Sequence, residues 1–244
     1  MAQARAKIRL YVTADLGEGR EVALSREQAH YLFGVMRLGP GGAVKIFNGR
    51  DGEWLAEVLE AGKRAGRLIC REVLRPQAVP PDLWLAFAPV KKARTDFIAE
   101  KACEMGCRRL LPIFTEYTNA ERVNVERLTA HGIEAAEQCG LLSVPEVAEP
   151  QPLSRFIEAL GARRLMFCDE SGEGAAASAT LTAAGPGPWA VLIGPEGGFS
   201  PAEASRLRAL PQAHAVSLGP RILRADTAAV AALTLWQACL GDWE

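Results

Sequence analysis

The amino-acid sequence predicts an α/β protein in two parts, a small and mostly β domain followed by a larger one built on a mainly parallel sheet. Three observations predict it. Short runs of alternating apolar and polar residues fill the first 74 positions. The stretch "RPQAVPPD" (75–82) then packs three prolines into eight residues, stiff and unable to continue a ladder or a helix. Beyond it, strand-like apolar runs alternate with helical periodicity, the pattern of a parallel sheet with crossover helices. The predicted boundaries are therefore 1–74, a linker 75–82, and 83–244.

In the first part, "KIRLYV" sets Ile8, Leu10 and Val12 on one face of a strand. Ser25 and Gln28 have capping-box spacing, and Ala29, Leu32, Phe33 and Met36 follow at helical intervals. "AVKIFNGRDGEWLAEV" contains two β runs separated by Asn48-Gly49 and Asp51-Gly52, which are hairpin signals. A small barrel is the natural expectation.

The second part opens with the strand "LWLAFAPV". "DFIAEKACEMG" is a helix with Ile98, Ala102 and Met105 on one stripe and Gly106 where a left-handed cap belongs. "RLLPIF" is a strand and "VERLTAHGIEAAEQCG" a helix; "LSRFIEAL" and "RRLMFCDE" repeat the pair. A small-residue loop, "GEGAAASAT" (172–180), precedes the last two units, "WAVLIGPEGGFSPAEASRLRAL" and "VSLGPRILRADTAAVAAL". The apolar helix from Ala228 to Leu240 has a face for its own domain or for a partner subunit.

Composition excludes several classes. With 49% hydrophobic and 23% charged residues, the 244-residue chain is of ordinary globular type. No apolar run approaches the roughly 18 to 20 residues of a membrane span, and "MAQARAKIRLYV" lacks a secretory apolar core, so a cytoplasmic protein is expected. Six cysteines without a CxxC pair and three histidines suggest neither a zinc site nor a disulfide framework. Cys103 and Cys107, four apart, are either two metal ligands or two small core-facing residues. The net charge of −1 conceals an asymmetry: residues 1–75 carry 13 Lys and Arg against 9 Asp and Glu, whereas 76–244 carry 15 against 20. The basic front end fits a polyanionic partner, or simply a solvated surface.

Two loops carry the specific signals. In "LIGPEGGFSPAE" a buried strand enters Gly194-Pro195-Glu196-Gly197-Gly198, and Ser200, Pro201 and Glu203 then open a helix with an N-cap, an N1 proline and a box glutamate. The glycines permit close backbone approach by a ligand. The loop is neither G-x-G-x-x-G nor a Walker loop, and Glu196 would repel a phosphate, so a neutral or cationic ligand fits better than a dinucleotide. An ordinary tight strand-to-helix turn would read the same way. The second loop, "LGPRILRADT", crowds Arg221, Arg224 and Asp226 at the mouth of an apolar helix.

Together, "LIGPEGGFSPAE", "LGPRILRADTAAVAAL", "EAAEQCG", "VPE", "KKARTDFIAEKACEMG" and "HYLFGVMRLGPGG" resemble the ribosomal RNA small-subunit methyltransferase E family, the 16S rRNA uridine-N(3)-methyltransferases of the SPOUT superfamily. The resemblance covers nearly the whole chain. It implies a PUA-like N-terminal domain that holds RNA, a C-terminal domain with a deep trefoil knot that binds S-adenosylmethionine, no metal, and a homodimer acting on the small ribosomal subunit. It also implies site residues. Ile193, Gly194, Glu196, Gly197, Leu218, Gly219, Ile222, Leu223 and Thr227 would surround the cofactor, with Glu196 offsetting its sulfonium. Arg9, His30, Arg37 and Arg221 would meet RNA, or Arg221 the partner subunit.

The chemistry of uridine N3 agrees with arginine at this place. That nitrogen is protonated at neutral pH and lies on the pairing edge, so it must be extruded and must lose its proton. Arginine is a poor base, but its fork can stabilise charge on the carbonyl oxygens. Arg224 is the leading candidate; Asp226 either orients Arg224, takes the proton, or satisfies the helix N–H groups. Three departures from the family pattern bear on specificity: Leu141 stands where arginine is usual, "RADT" replaces Arg-Thr-Glu-Thr, and "TEYTNA" lacks a basic residue. Two rivals are a nucleotide-binding α/β enzyme, disfavoured by the missing fingerprint, and a non-catalytic RNA-binding assembly factor that kept the fold.

Overall fold

The structure, a computed structural model, describes residues 6–172 and 174–243; residues 1–5, Glu173 and Glu244 lie outside that description, and with them part of the "MAQARAKIRLYV" and "GEGAAASAT" stretches. The chain forms two compact units, one running up to Val79 and taking in Ala136–Val144, the other formed by Pro80–Ala135 and the chain from Pro145 onward.

The first unit is a five-stranded sheet in the order β1-β3-β4-β5-β2, from β1 (Arg9–Tyr11), β2 (Glu21–Ala23), β3 (Ala43–Phe47), β4 (Glu53–Ala61) and β5 (Gly66–Arg75). β1 joins β3 in parallel and the other pairs are antiparallel. The hairpin signal at 48–52 is fulfilled by a specific turn. The Asn48 side chain accepts the N–H groups of Arg50 and Asp51, both at 2.9 Å, and donates to the Ala14 carbonyl. Gly52 is obligatory there, with φ +81° and only 2.3 Å between an added Cβ and the Arg75 carbonyl. Register shifts along β4 and β5 curl the sheet around a core of Leu10, Val12, Val44, Ile46, Val58 and Leu68.

Helix α1 (Arg26–Ala29) starts with the expected reciprocal Ser25–Gln28 capping box. The helical spacing then fails, because residues His30–Val35 form a π-helix. Each π turn takes in an extra residue, so the Met36 N–H bonds back five places to Tyr31 O. Met36 is consequently rotated off the buried stripe and is 44% exposed, while Ala29 and Leu32 remain in the core.

The second unit carries the sheet β11-β13-β10-β12-β6-β7-β8, with β9 pairing β7. Its strands are β6 (Leu83–Phe87), β7 (Arg109–Phe114), β8 (Glu146–Val147), β9 (Gln151–Pro152), β10 (Arg164–Cys168), β11 (Ala175–Ala176), β12 (Trp189–Ile193) and β13 (Ala213–Ser217). Every pairing is parallel. The helices are α2 (Lys92–Glu104), α3 (Val125–Cys139), α4 (Leu153–Ala159), α5 (Ala177–Ala184), α6 (Pro201–Arg208) and α7 (Ala225–Leu240). Both faces of the sheet are covered. Leu85, Val191, Trp189 and Trp236 pack on one side, and Ile113, Phe156, Phe167 and Leu192 on the other. α7 lies against α2 and α5 within this unit.

One expectation needs correction: residues 175–180 do not form a loop but pass through β11 into α5. Alanine is the best helix former, and Ala177 and Leu181 give the short helix a buried anchor. Parallel pairing also puts the carboxyl ends of β6, β7, β10, β12 and β13 along one edge, the usual ligand-binding edge of an open α/β sheet.

Candidate functional site

A cavity of about 370 Å³ opens at that edge, walled by three loops: Cys168–Gly172 after β10, Ile193–Gly198 after β12, and Ser217–Leu223 after β13. Ala225 and Ala228 of α7 form its apolar floor. Small residues there keep the helix close without filling the space.

The β12 loop is held by interactions that demand its sequence. The Gly198 N–H donates to Pro195 O at 2.9 Å. Gly198 has φ +71°, and an added Cβ would lie 2.0 Å from Glu170 Oε1. That oxygen accepts the Phe199 N–H at 3.0 Å, which ties the loop after β12 to the loop after β10. The helix signal beyond it is realised in full: Ser200 and Glu203 cap α6 reciprocally, and Glu203 also accepts the Glu116 N–H at 2.9 Å.

Asp169 sets the charge at the back of the cavity. Burial opposes its ionisation, but the Ser171 N–H and the Arg208 guanidinium overcome that and hold the carboxyl below its usual range. Arg208 donates through Nε at 2.8 Å and Nη2 at 2.5 Å. Glu170 and Glu196 line the cavity too, but Arg208 and Arg94 pair with Asp169 and Glu196, so among the described residues Glu170 is the lining carboxylate without a cation, against Arg221. Such a site favours a cationic or neutral ligand over a pyrophosphate.

Arg224 is the N-cap of α7, where it makes no capping bond. Ser, Thr, Asp or Asn would stabilise that position by about 1 kcal/mol, and a cation faces the positive end of the helix dipole. Its exposed side chain forms no hydrogen bond or ion pair with the described residues. Asp226 is not joined to it. Its Oδ1 accepts the Thr227 N–H at 2.9 Å, and its Oδ2 lies 3.7 Å from Arg94 Nε. Arg94 also bonds Glu196. The first turn of α2 thus spans the β12 loop and the start of α7, and of the alternatives for Asp226 the described residues show its bond to a helix N–H and none to Arg224.

Of the sequence-derived cofactor set, Ile193, Gly194, Glu196, Leu218, Gly219, Ile222 and Leu223 line the cavity, joined by Arg221. Gly197 turns instead toward Tyr117, and Thr227 lies outside the lining. Sequence reasoning missed Arg94, Asp169 and Glu170. Arg94 stood within the quoted "KKAR" string, but nothing in its spacing announces a partner 102 positions away.

In the first unit, His30 borders a depression of about 340 Å³ with Arg26, Glu27, Lys63 and Arg64. Arg37 is exposed, with φ +56°. Arg9 departs from its expected role. Its side chain is 12% exposed and bonds Glu53 through Nε at 2.6 Å, the carbonyls of Ala136 and Glu137 through Nη1 at 2.5 and 3.0 Å, and that of Leu141 through Nη2 at 2.7 Å. Those bonds make it an internal tie, although it also borders a surface depression with Lys45, Glu53 and Arg75. Among the described residues no group of three or more His, Cys, Asp or Glu could hold a metal ion. Cys103 and Cys107 are buried; Cys103 Sγ donates to Gly132 O at 3.2 Å, and burial pushes the Cys107 thiol up.

Residues 76–237 match the model of the RNA methyltransferase domain family, and residues 24–69 match that of the RNA methyltransferase PUA domain. The chain is 29% identical over 226 residues to ribosomal RNA small subunit methyltransferase E of Rickettsia conorii, covering 92% of this chain and 93% of the relative. It is 30% identical to the Synechocystis protein of the same name, covering 90% and 73%. Its fold is similar to that of a Legionella pneumophila protein described as a methyltransferase and solved with the bound cofactor SAM, with a TM-score of 0.88, 28% identity, and coverage of 97% and 99%.

Proposed function

The chain belongs to the ribosomal RNA small subunit methyltransferase E family, and from that premise we propose that it transfers the methyl group of S-adenosylmethionine to N3 of a uridine in 16S ribosomal RNA. The observation that carries the reading is the conjunction of a cavity made of loop backbone with an arginine beside it that has no partner among the described residues. The residues present fit this cofactor. Ile193, Leu218 and Leu223 offer apolar walls to the adenine, the loop amides can meet its ring edge, and Glu170, which no cation among the described residues pairs, favours a sulfonium cation. When bound there, S-adenosylmethionine supplies an electrophilic methyl group and leaves as a neutral thioether.

The chain's own residues manage the anion. The N3–H proton passes to solvent water, the S–CH3 bond breaks as the N3–CH3 bond forms, and the negative charge that develops in between is delocalised onto the uracil O2 and O4. Arg224, which has no partner among the described residues, donates to those oxygens as the charge develops. Asp226 acts at one remove: with Glu196 it fixes Arg94, and so fixes the β12 loop against the start of α7. The first unit holds RNA through His30, Arg37 and the neighbouring Arg26, Lys63 and Arg64, contacts that position the strand without reading its sequence. Arg221 and Ile222, the latter 87% exposed, lie at the cavity rim and serve the RNA or a second subunit of a homodimer.

The return of α7 beneath the three loops is read as a trefoil knot, following the family. Among the described residues no helix is long and apolar enough to cross a membrane; a ribosomal RNA substrate fits a cytoplasmic enzyme. The test is incubation with labelled S-adenosylmethionine and small ribosomal subunits lacking the modification, followed by nucleoside mass spectrometry. Appearance of 3-methyluridine is expected. No transfer, with the cofactor still raising the melting temperature, would send the search to another RNA substrate or to a non-catalytic assembly role.

A further inference from the structure

Tyr117 presents a partly exposed aromatic ring against Gly197, one residue removed from the lining of the cavity. It is 42% exposed, and its hydroxyl makes no hydrogen bond with the described residues. Its backbone, by contrast, is firmly set. The Thr115 N–H donates to Thr118 Oγ1 at 2.9 Å, the two threonine hydroxyls bond at 2.9 Å, and the Thr118 N–H returns to Thr115 O at 3.1 Å. The adjoining Glu116 N–H is held by Glu203, the residue that caps α6. The side chain lies against Gly197, whose added Cβ would be 3.4 Å from Tyr117 Cβ. Gly197 in turn sits between Glu196 and Gly198, both of which line the cavity.

On the methyltransferase reading above, the geometry points to Tyr117 as the platform on which the extruded target base stacks. N3 and its two flanking carbonyls must all stay open, one to receive the methyl and the others to meet Arg224. A residue gripping the pairing edge would obstruct transfer. A ring applied to the base face fixes the plane of the uracil and leaves that edge free. A rigid turn suits this task, because the platform is then ordered before the base arrives.

The experiment compares wild type, Tyr117→Ala, Tyr117→Leu and Tyr117→Phe on unmodified small subunits, with S-adenosylmethionine affinity measured by calorimetry. Tyr117→Ala and Tyr117→Leu should lower kcat/KM for the subunit by about tenfold or more, the loss of one base–aromatic stack, with cofactor affinity unchanged. Tyr117→Phe, which keeps the ring and drops the hydroxyl, should stay within about threefold of wild type. Full activity in Tyr117→Ala would overturn the proposal while leaving the methyltransferase assignment intact. So would parallel losses of cofactor affinity and turnover, which would make Tyr117 a support for the Gly197 loop. A wild-type enzyme that forms no 3-methyluridine would overturn both.

Discussion

Two pairs of arginines, one pair in each unit, do opposite work. In the first, Arg9 and Arg75 both bond the buried carboxylate of Glu53, and they reach the carbonyls of Ala136, Glu137, Gly140 and Leu141. Burial opposes the charge on Glu53, yet the two guanidinium groups hold it below its ordinary range. In the second, Arg221 and Arg224 stand at the strand ends with no partner among the described residues, one of them on a helix terminus that electrostatics disfavours. Satisfied arginines stiffen a fold, whereas an arginine left unsatisfied at a cavity is available to a substrate. The same residue type therefore has to be judged by its acceptors.

The contrast predicts separable damage. Glu53→Ala removes the carboxylate that Arg9 and Arg75 share, leaving Arg9 its carbonyl acceptors, and should remove about 3 kcal/mol of stability, read by denaturant unfolding, with cofactor affinity unaltered; an unchanged midpoint would break the contrast from the first side. Arg224→Ala should behave oppositely, lowering methylation by roughly a hundred- to a thousandfold at unchanged melting temperature and cofactor affinity. Unaltered turnover would remove Arg224 from the chemistry. Gly198→Ala forces a disfavoured φ and meets Glu170, at a cost of about 1–3 kcal/mol, and should weaken S-adenosylmethionine binding in calorimetry by roughly tenfold. The smallest effect is in acid. Asp169 titrates below its ordinary value, so its contribution is present above the usual aspartate range and is lost as pH falls through the lowered value. Thermal scans from neutral pH downward should show a shallower acid decline in Asp169→Asn than in wild type.

Legibility in the sequence followed the range of the interaction. The capping boxes at Ser25 and Ser200, the turn glycines at 49, 52 and 106, and the strands β6, β7, β10 and β12 are written in local spacing, and they stand where that spacing puts them. So is the cavity's glycine-rich wall. Met36 was misjudged because a helical count assumes 3.6 residues per turn, and the backbone there takes a wider one. Helix α5 was missed since alanine-rich strings lack the polar contrast that makes periodicity visible. Arg9 and Arg94 were beyond any local rule: their acceptors lie 44 to 132 and 102 positions away, and only the folded chain brings them together.

The return of Ala136–Val144 to the first unit makes that unit discontinuous in the chain. The proline-rich linker marks a change of composition, but the carbonyls that receive Arg9 and Arg75 are encoded some sixty residues downstream of it. A fragment ending at the linker would carry the arginines and lack their acceptors. Recombination at that point would thus transplant an incomplete module.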